Sequence, residues 1–344
     1  MMIRIPTNGL RKIANEEYVI RQYVKPILNE DAALCRSVIH SLADNRMVCF
    51  SPPKSVPFLK FKEENPDIAQ ITVELFVEGT MINAFHDKGV WRIATKSKLG
   101  AECNFYENTP TFAALFAEAC AACQFSLESL DPKICYSFVL QHPLNQIVTL
   151  FERPSLFIVD AYIIEGDVVL SVLKNLDLPE GLKKPSRCTF ATYDDMYNAL
   201  LNEHYTVKGY VLKNEFCRAK IRNGKYEYVS ELRGNTPVLK YNVVKLFKSS
   251  TVPEFLKYYP ELRRPTELVL SQLTKVVNQL FSMYIECFIH KKKPLREYSY
   301  EFKPHLWALH RLYIAQRPVP MHKKIVIDYV KAINQSKLFC MLKV

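Results

Sequence analysis

The sequence predicts an α+β chain, an antiparallel-sheet domain over residues 1–252 followed by a small all-helical domain over residues 253–344. Three observations point there. Short β-branched and aromatic runs separated by turn residues recur between residues 71 and 221, an Ala-rich helical run interrupts them, and beyond Pro253 apolar residues recur at helical spacing.

Residues 8–48 read as mixed helical segments, with Ala33, Leu34, Val38 and Ile39 at helical spacing inside Asp31–Leu42. Ser51-Pro52-Pro53-Lys54-Ser55 then stops any regular element, because two prolines remove donors and fix φ. Ile71–Val77 is a strand run ended by Glu78-Gly79-Thr80, and Met81–Phe85 resumes extended structure. His86-Asp87-Lys88-Gly89 is a turn, and Val90–Thr95 alternates like the hairpin partner. Thr109-Pro110-Thr111 supplies cap chemistry for the Ala-rich helix that follows. Strand signals return at Cys135–Leu140, Ile147–Phe151, Leu156–Ile164, Tyr205–Lys213 and Phe216–Ile221. In the tail, Thr266–His290, Pro304–Ala315 and His322–Ile333 are helical in pattern.

Composition narrows the class. The 344 residues are 49% hydrophobic and 24% charged, which excludes disorder over most of the length. No apolar run reaches the roughly 18 residues of a membrane span, and the N-terminus lacks an apolar signal region, so an intracellular, cytoplasmic, non-membrane protein is expected. The 10 cysteines are scattered, as suits free thiols in a reducing compartment. Cys120 and Cys123, with no second Cys/His pair, read as buried helix packing rather than a zinc site.

The formal charge of +11 favours polyanionic partners. From Lys208 to Lys248 there are ten Lys/Arg against three Glu, with Tyr210, Phe216, Tyr226, Tyr228 and Tyr241 interleaved. Cations alternating with aromatics fit a strand surface that meets nucleic acid or a nucleotide phosphate, and they also fit a solvated sheet face.

Four segments in order resemble the motif series of the phage-type, viral ATP-dependent RNA ligases, members of the covalent nucleotidyltransferase superfamily. They are Phe76-Val77-Glu78-Gly79-Thr80-Met81-Ile82, Ile93-Ala94-Thr95-Lys96-Ser97, Phe138-Val139 with the run to Val148, and Val207-Lys208-Gly209-Tyr210-Val211 followed by Arg218-Ala219-Lys220-Ile221-Arg222. The tail around Trp307–Ile314 also looks like the helical module of viral members, so the resemblance spans about residues 45–344. It implies an antiparallel-sheet nucleotidyltransferase domain, ATP-grasp-like in layout, ahead of the C-terminal helices.

The resemblance also shows where the chain departs from the family. The family's nucleophilic lysine would stand at Phe76, and a phenylalanine cannot form a phosphoramidate. Val139 occupies the place of a carboxylate at the ribose or metal end of the site, and Lys208 that of a metal-binding glutamate. Glu78, Gly79 and Thr80 match the rest of the first motif. Lys220 and Arg222 keep the cation pair that holds phosphates in the family, period two placing both on one strand face. Lys96 and Lys54 resemble basic positions around the site. The implied protein is a degenerate member, a pseudoenzyme that binds RNA or nucleotide through Lys54, Glu78, Gly79, Thr80, Lys96, Lys220 and Arg222, with no metal and no intact catalytic residue.

Plainer readings stand beside these. Glu78-Gly79-Thr80 also fits a bulge or turn, Lys220 and Arg222 fit solvent-facing charges, and His142-Pro143 fits a cap or packing role. His305, His310 and His322 suit RNA or partner contacts rather than zinc. Two functional alternatives remain open: an active ligase using a displaced lysine such as Lys54 or Lys96, which alone would need ATP and Mg²⁺, and a viral structural or assembly protein, with viral protein partners in host cytoplasm or virion.

Overall fold

The computed structural model describes residues 9–25, 30–107, 109–215, 217–316 and 319–342, so Phe216 of the basic stretch lies outside the described residues. It divides into two compact units, Met1–Ser230 and Glu231–Val344.

Three antiparallel sheets build the first unit. Strands β1 (Leu10–Ala14), β2 (Tyr18–Tyr23), β3 (Val38–Ser41) and β4 (Met47–Cys49) pair in that order. β5 (Thr72–Leu75) belongs to the third sheet. β6 (Thr80–Asp87), β7 (Val90–Thr95), β8 (Ile134–Gln141), β9 (Ser155–Glu165) and β10 (Val168–Ser171) form the second, in the order β10-β9-β8-β6-β7. β11 (Arg187–Cys188), β12 (Gly209–Lys213) and β13 (Arg218–Arg222) complete the third, in the order β11-β5-β12-β13.

The five-stranded sheet is covered on both faces. Period two sends Ile82, Ala84, Tyr136, Phe138, Leu156 and Ile158 against Leu115, Phe116 and Ala119 of the helix Phe112–Ala122. Phe85, Ala94, Cys135 and Tyr162 leave the opposite face and pack on Tyr18, Ile20, Val38 and Cys49 of the N-terminal sheet. Each such buried side chain contributes about 1.5–3 kcal/mol. The hairpin β6–β7 closes through Lys88 and Gly89, both at positive φ, and Thr111 caps the Ala-rich helix by accepting from the Ala114 N–H at 3.3 Å. Cys120 and Cys123 pack against this core, and burial pushes the Cys120 thiol up to about 12. The third sheet buries Val73, Tyr210, Leu212 and Ala219 against Phe61 of the helix Phe58–Glu64 and Met196 and Leu200 of the helix Tyr193–Asn202.

Several sequence expectations need correction. The N-terminal region is a sheet with one short helix, Glu30–Leu34, because β2 is buried on both faces and carries no alternation to read. Ile147–Phe151 is not a strand; its amides serve a side chain instead, as described below. The basic stretch is a strand surface only to Arg222. Tyr226 and Tyr228 lie on the helix Gly224–Arg233 and Tyr241 on the helix Leu239–Ser249.

The second unit is helical. Leu239–Ser249 supplies Val243 and Val244 to a core shared with Leu273, Val277 and Leu280 of the helix Arg263–Tyr284, Leu306 and Leu309 of Lys303–Ala315, and Val326 and Val330 of Lys323–Ala332. A final helix, Gln335–Met341, adds Leu338. Among the described residues, no helix is long and apolar enough to cross a membrane.

Candidate phosphate-binding face

The third sheet places the candidate residues. Cross-strand partners share a face, so the register Glu74↔Val211↔Lys220 puts Glu74, Phe76, Lys213, Arg218, Lys220 and Arg222 on the side opposite the Tyr210–Leu212–Ala219 core. Phe76 continues the pairing, its N–H donating to the Gly209 carbonyl at 2.8 Å. Gly209 is required there. It sits at φ +135°, and a Cβ on it would lie 2.1 Å from the Ile221 carbonyl oxygen.

Phe76 is half-buried between two ammonium groups, Lys208 Nζ at 4.3 Å and Lys220 Nζ at 4.6 Å from its ring centre. The ring's negative face attracts each cation, which fixes both lysines without neutralising either. Burial, and then the neighbouring Arg218, Arg36, Lys208 and Arg222, push Lys220 down to about 6. Burial pushes Lys208 down to about 8, with Glu78 opposing the shift and Arg222 and Arg36 adding to it. Lys96 is lowered by burial, Arg36 and Lys25, and its Nζ lies 4.9 Å from the Tyr23 ring centre. Arg36, in the link between the helix Glu30–Leu34 and β3, is lowered by burial and by Arg218.

Arg218 is 9% exposed, and its Nε and Nη1 have no hydrogen-bond partner among the described residues. In the sequence Arg218 stands inside the last motif without a role of its own, and Arg36 stands outside every motif, although these two act most directly on the lysines. No local signal marks Arg36, which comes to Arg218 from 182 residues earlier in the chain through folding alone. Arg222 is exposed and pairs with Glu227 at 2.9 Å while still acting on Lys208 and Lys220. The Lys54 N–H donates to the Ala33 carbonyl, and two residues on Val56 N–H donates to the Arg218 carbonyl, so this segment runs beside β13.

The Glu78-Gly79-Thr80 segment has a different job. Glu78 is buried, and its carboxylate accepts from the N–H groups of Ile147, Val148 and Thr149 at 3.0 to 3.3 Å and from Thr149 Oγ1 at 3.0 Å. Gly79, at φ +143°, lets the chain pass β8: an added Cβ would lie 2.3 Å from the Leu140 carbonyl oxygen and 2.7 Å from Val139 Cγ1. Thr80 Oγ1 accepts from Asn145 Nδ2 at 2.9 Å. Val139 thus packs against the glycine, and these residues brace a loop beside the cationic face. His142 is likewise committed, its Nδ1 accepting from the Leu144 N–H at 3.1 Å and its Nε2 meeting Glu118 at 3.0 Å.

This donor set does not fit a divalent cation. Of the two carboxylates beside the lysines, Glu74 is held by Lys213 Nζ at 2.7 Å and Glu78 by backbone amides, while positions 139 and 208 carry Val and Lys. It does fit an anion, because the groups acting on Lys220 besides burial are all cations.

No protein-family model and no curated protein matches the chain. Among solved structures it is similar to ATP-dependent ligases. A candidate ATP-dependent DNA ligase from Aquifex aeolicus aligns with TM-score 0.45 and 14% identity, over 90% of this chain and 85% of that one. An archaeal ATP-dependent RNA ligase gives TM-score 0.43 and 14% identity, over 83% and 76%. A Naegleria gruberi RNA ligase variant with ATP and Mn gives 0.39 and 11%, over 53% of this chain and 58% of that one. At these scores the site is argued from its own residues.

Proposed function

We propose that this chain is an RNA-ligase-like protein that binds RNA or a nucleotide through a retained cationic face and has lost lysine adenylylation. The observation that carries the reading is Phe76 at the nucleophile position of the motif, with Lys208 and Lys220 against its ring at 4.3 and 4.6 Å. The phosphate-holding cations of the resemblance are present and the covalent and metal-binding side chains are replaced, so binding is kept and group transfer is not. In this reading the viral setting, RNA contact and any viral partners follow from the resemblance.

Incubation with labelled ATP and Mg²⁺ tests it. The expected result is no acid-labile protein–AMP adduct, with saturable binding of RNA or ATP measured in parallel. One observation favours a second reading, an active ligase with a displaced lysine: Lys220, pushed down to about 6 beside Phe76, is a neutral amine at pH 7. An adduct mapped by peptide sequencing to Lys220, Lys54 or Lys96 would put that enzyme first. Absence of both adduct and binding would leave the structural or assembly protein.

A further inference from the structure

We propose that Arg36 and Arg218, with Lys208 and Lys220, form a metal-independent receptor for an oligophosphate chain, carried by a free nucleoside triphosphate or by the 5′ end of an RNA. The inference rests on the reading that this face binds a polyanion, and it names the anion and the residues that hold it.

The argument begins with a charge imbalance. A guanidinium as buried as Arg218 normally has partners for its N–H groups, because leaving a charged donor unpaired in the interior costs free energy. Here Nε and Nη1 have none among the described residues. The acidic groups beside the lysines are already engaged, Glu74 with Lys213 at 2.7 Å and Glu78 with the 147–149 amides. The surroundings of Arg218 are instead cationic on every element that packs there: Arg36 from the link before β3, Lys220 and Arg222 from β13, Lys208 ahead of β12 and Lys96 after β7, which is coupled to Arg36. Tyr23 and Tyr162, the other titratable groups acting on Arg36, are neutral at physiological pH. The missing counter-charge is therefore external.

The clustering selects its class. An RNA backbone offers one charge per nucleotide along an open groove, whereas four or five cations gathered on a half-buried face match the dense charge of a di- or triphosphate. A guanidinium presents parallel N–H donors to adjacent phosphate oxygens, which a lone ammonium does not. Because protein cations supply the neutralising charge, Mg²⁺ competes with them for the same oxygens. Bound phosphate also favours the ammonium form of Lys220, so binding takes up a proton at pH values where the free amine is neutral.

Isothermal titration of the full chain at pH 8 tests this, using inorganic tripolyphosphate, ATP, an RNA oligonucleotide bearing a 5′-triphosphate and the same oligonucleotide with a 5′-hydroxyl. Tripolyphosphate is expected to bind, excess Mg²⁺ to weaken it, and Arg36→Met and Arg218→Met each to weaken it about tenfold or more. ATP titrations in two buffers of different ionisation enthalpy should report uptake of about one proton, since phosphate groups are already ionised at that pH. Tight ATP binding with no preference between the RNAs assigns the chain to a free nucleotide, and preference for the triphosphorylated RNA assigns it to an RNA end. Equal RNA affinities with no binding of tripolyphosphate or ATP would overturn this inference and leave RNA binding standing. No binding by any probe would overturn both. Should either variant fail to fold, the wild-type results still decide: Mg²⁺-strengthened binding or the absence of proton uptake contradicts the proposal.

Discussion

Phe76 explains why two lysines that repel each other share one patch: its ring attracts both ammonium groups, and no carboxylate is needed between them. A single reversion should therefore not restore chemistry. Phe76→Lys leaves Lys208 and Val139 at the positions where the family places carboxylates and adds a third lysine to the cluster. Labelled-ATP incubation of that variant is expected to give no adduct, and a detectable adduct would mean that the transfer site is better preserved than these replacements imply. Glu78 makes an opposite kind of prediction. Its carboxylate satisfies three consecutive backbone N–H groups, so Glu78→Ala should lower stability by about 3 kcal/mol or more, read from the urea midpoint. A purely ligand-binding Glu78 would leave that midpoint unchanged. Gly79→Ala should be at least as damaging, because the new Cβ has no space beside Leu140 and Val139 and the residue sits at φ +143°.

At the scale of elements, β13 is the part whose geometry the sequence states openly. Alternation in Arg218-Ala219-Lys220-Ile221-Arg222 tells which side chains share a face, and the cross-strand register agrees. The β6–β7 turn, the Thr111 cap and the tail helices were legible for the same reason, since each depends on neighbours within a few residues. The N-terminal sheet was not, because Tyr18, Val19 and Ile20 are all buried and erase the period on which strand reading depends. Nor was the use of Ile147 and Val148, whose apolar side chains suggested a strand while their amides answer a carboxylate 69 residues away. The cationic cluster has a pH consequence. Lys220 titrates near 6 in the fold against an ordinary 10.5, so between those values the unfolded chain binds more protons and stability rises with pH; below 6 both states are protonated and the dependence is lost. Lys220→Met removes the effect. The melting temperature of that variant, measured against the wild type from pH 6 to 9, should show its largest advantage near pH 6 and a shrinking one toward pH 9, whereas a constant gap would mean that Lys220 is an ordinary exposed lysine.

On the scale of the whole molecule, three sheets and a helical unit carry a face where cations from segments far apart in the chain converge, while the side chains expected to perform group transfer are a phenylalanine, a valine and a lysine. The sequence displayed the motif cations but not their convergence with Arg36, which is a property of the folded first unit. Binding without covalent transfer is the central claim. RNA affinity measured over a salt series for the wild type and for Lys220→Ala/Arg222→Ala, with circular dichroism as the folding control, tests it most directly. Weaker binding by the variant is predicted, with the slope of log K against log salt flattened by about 0.7 for each phosphate of a single strand that the variant no longer neutralises. Equal affinities and equal slopes in two folded proteins would contradict it and remove the cationic strand from the mechanism.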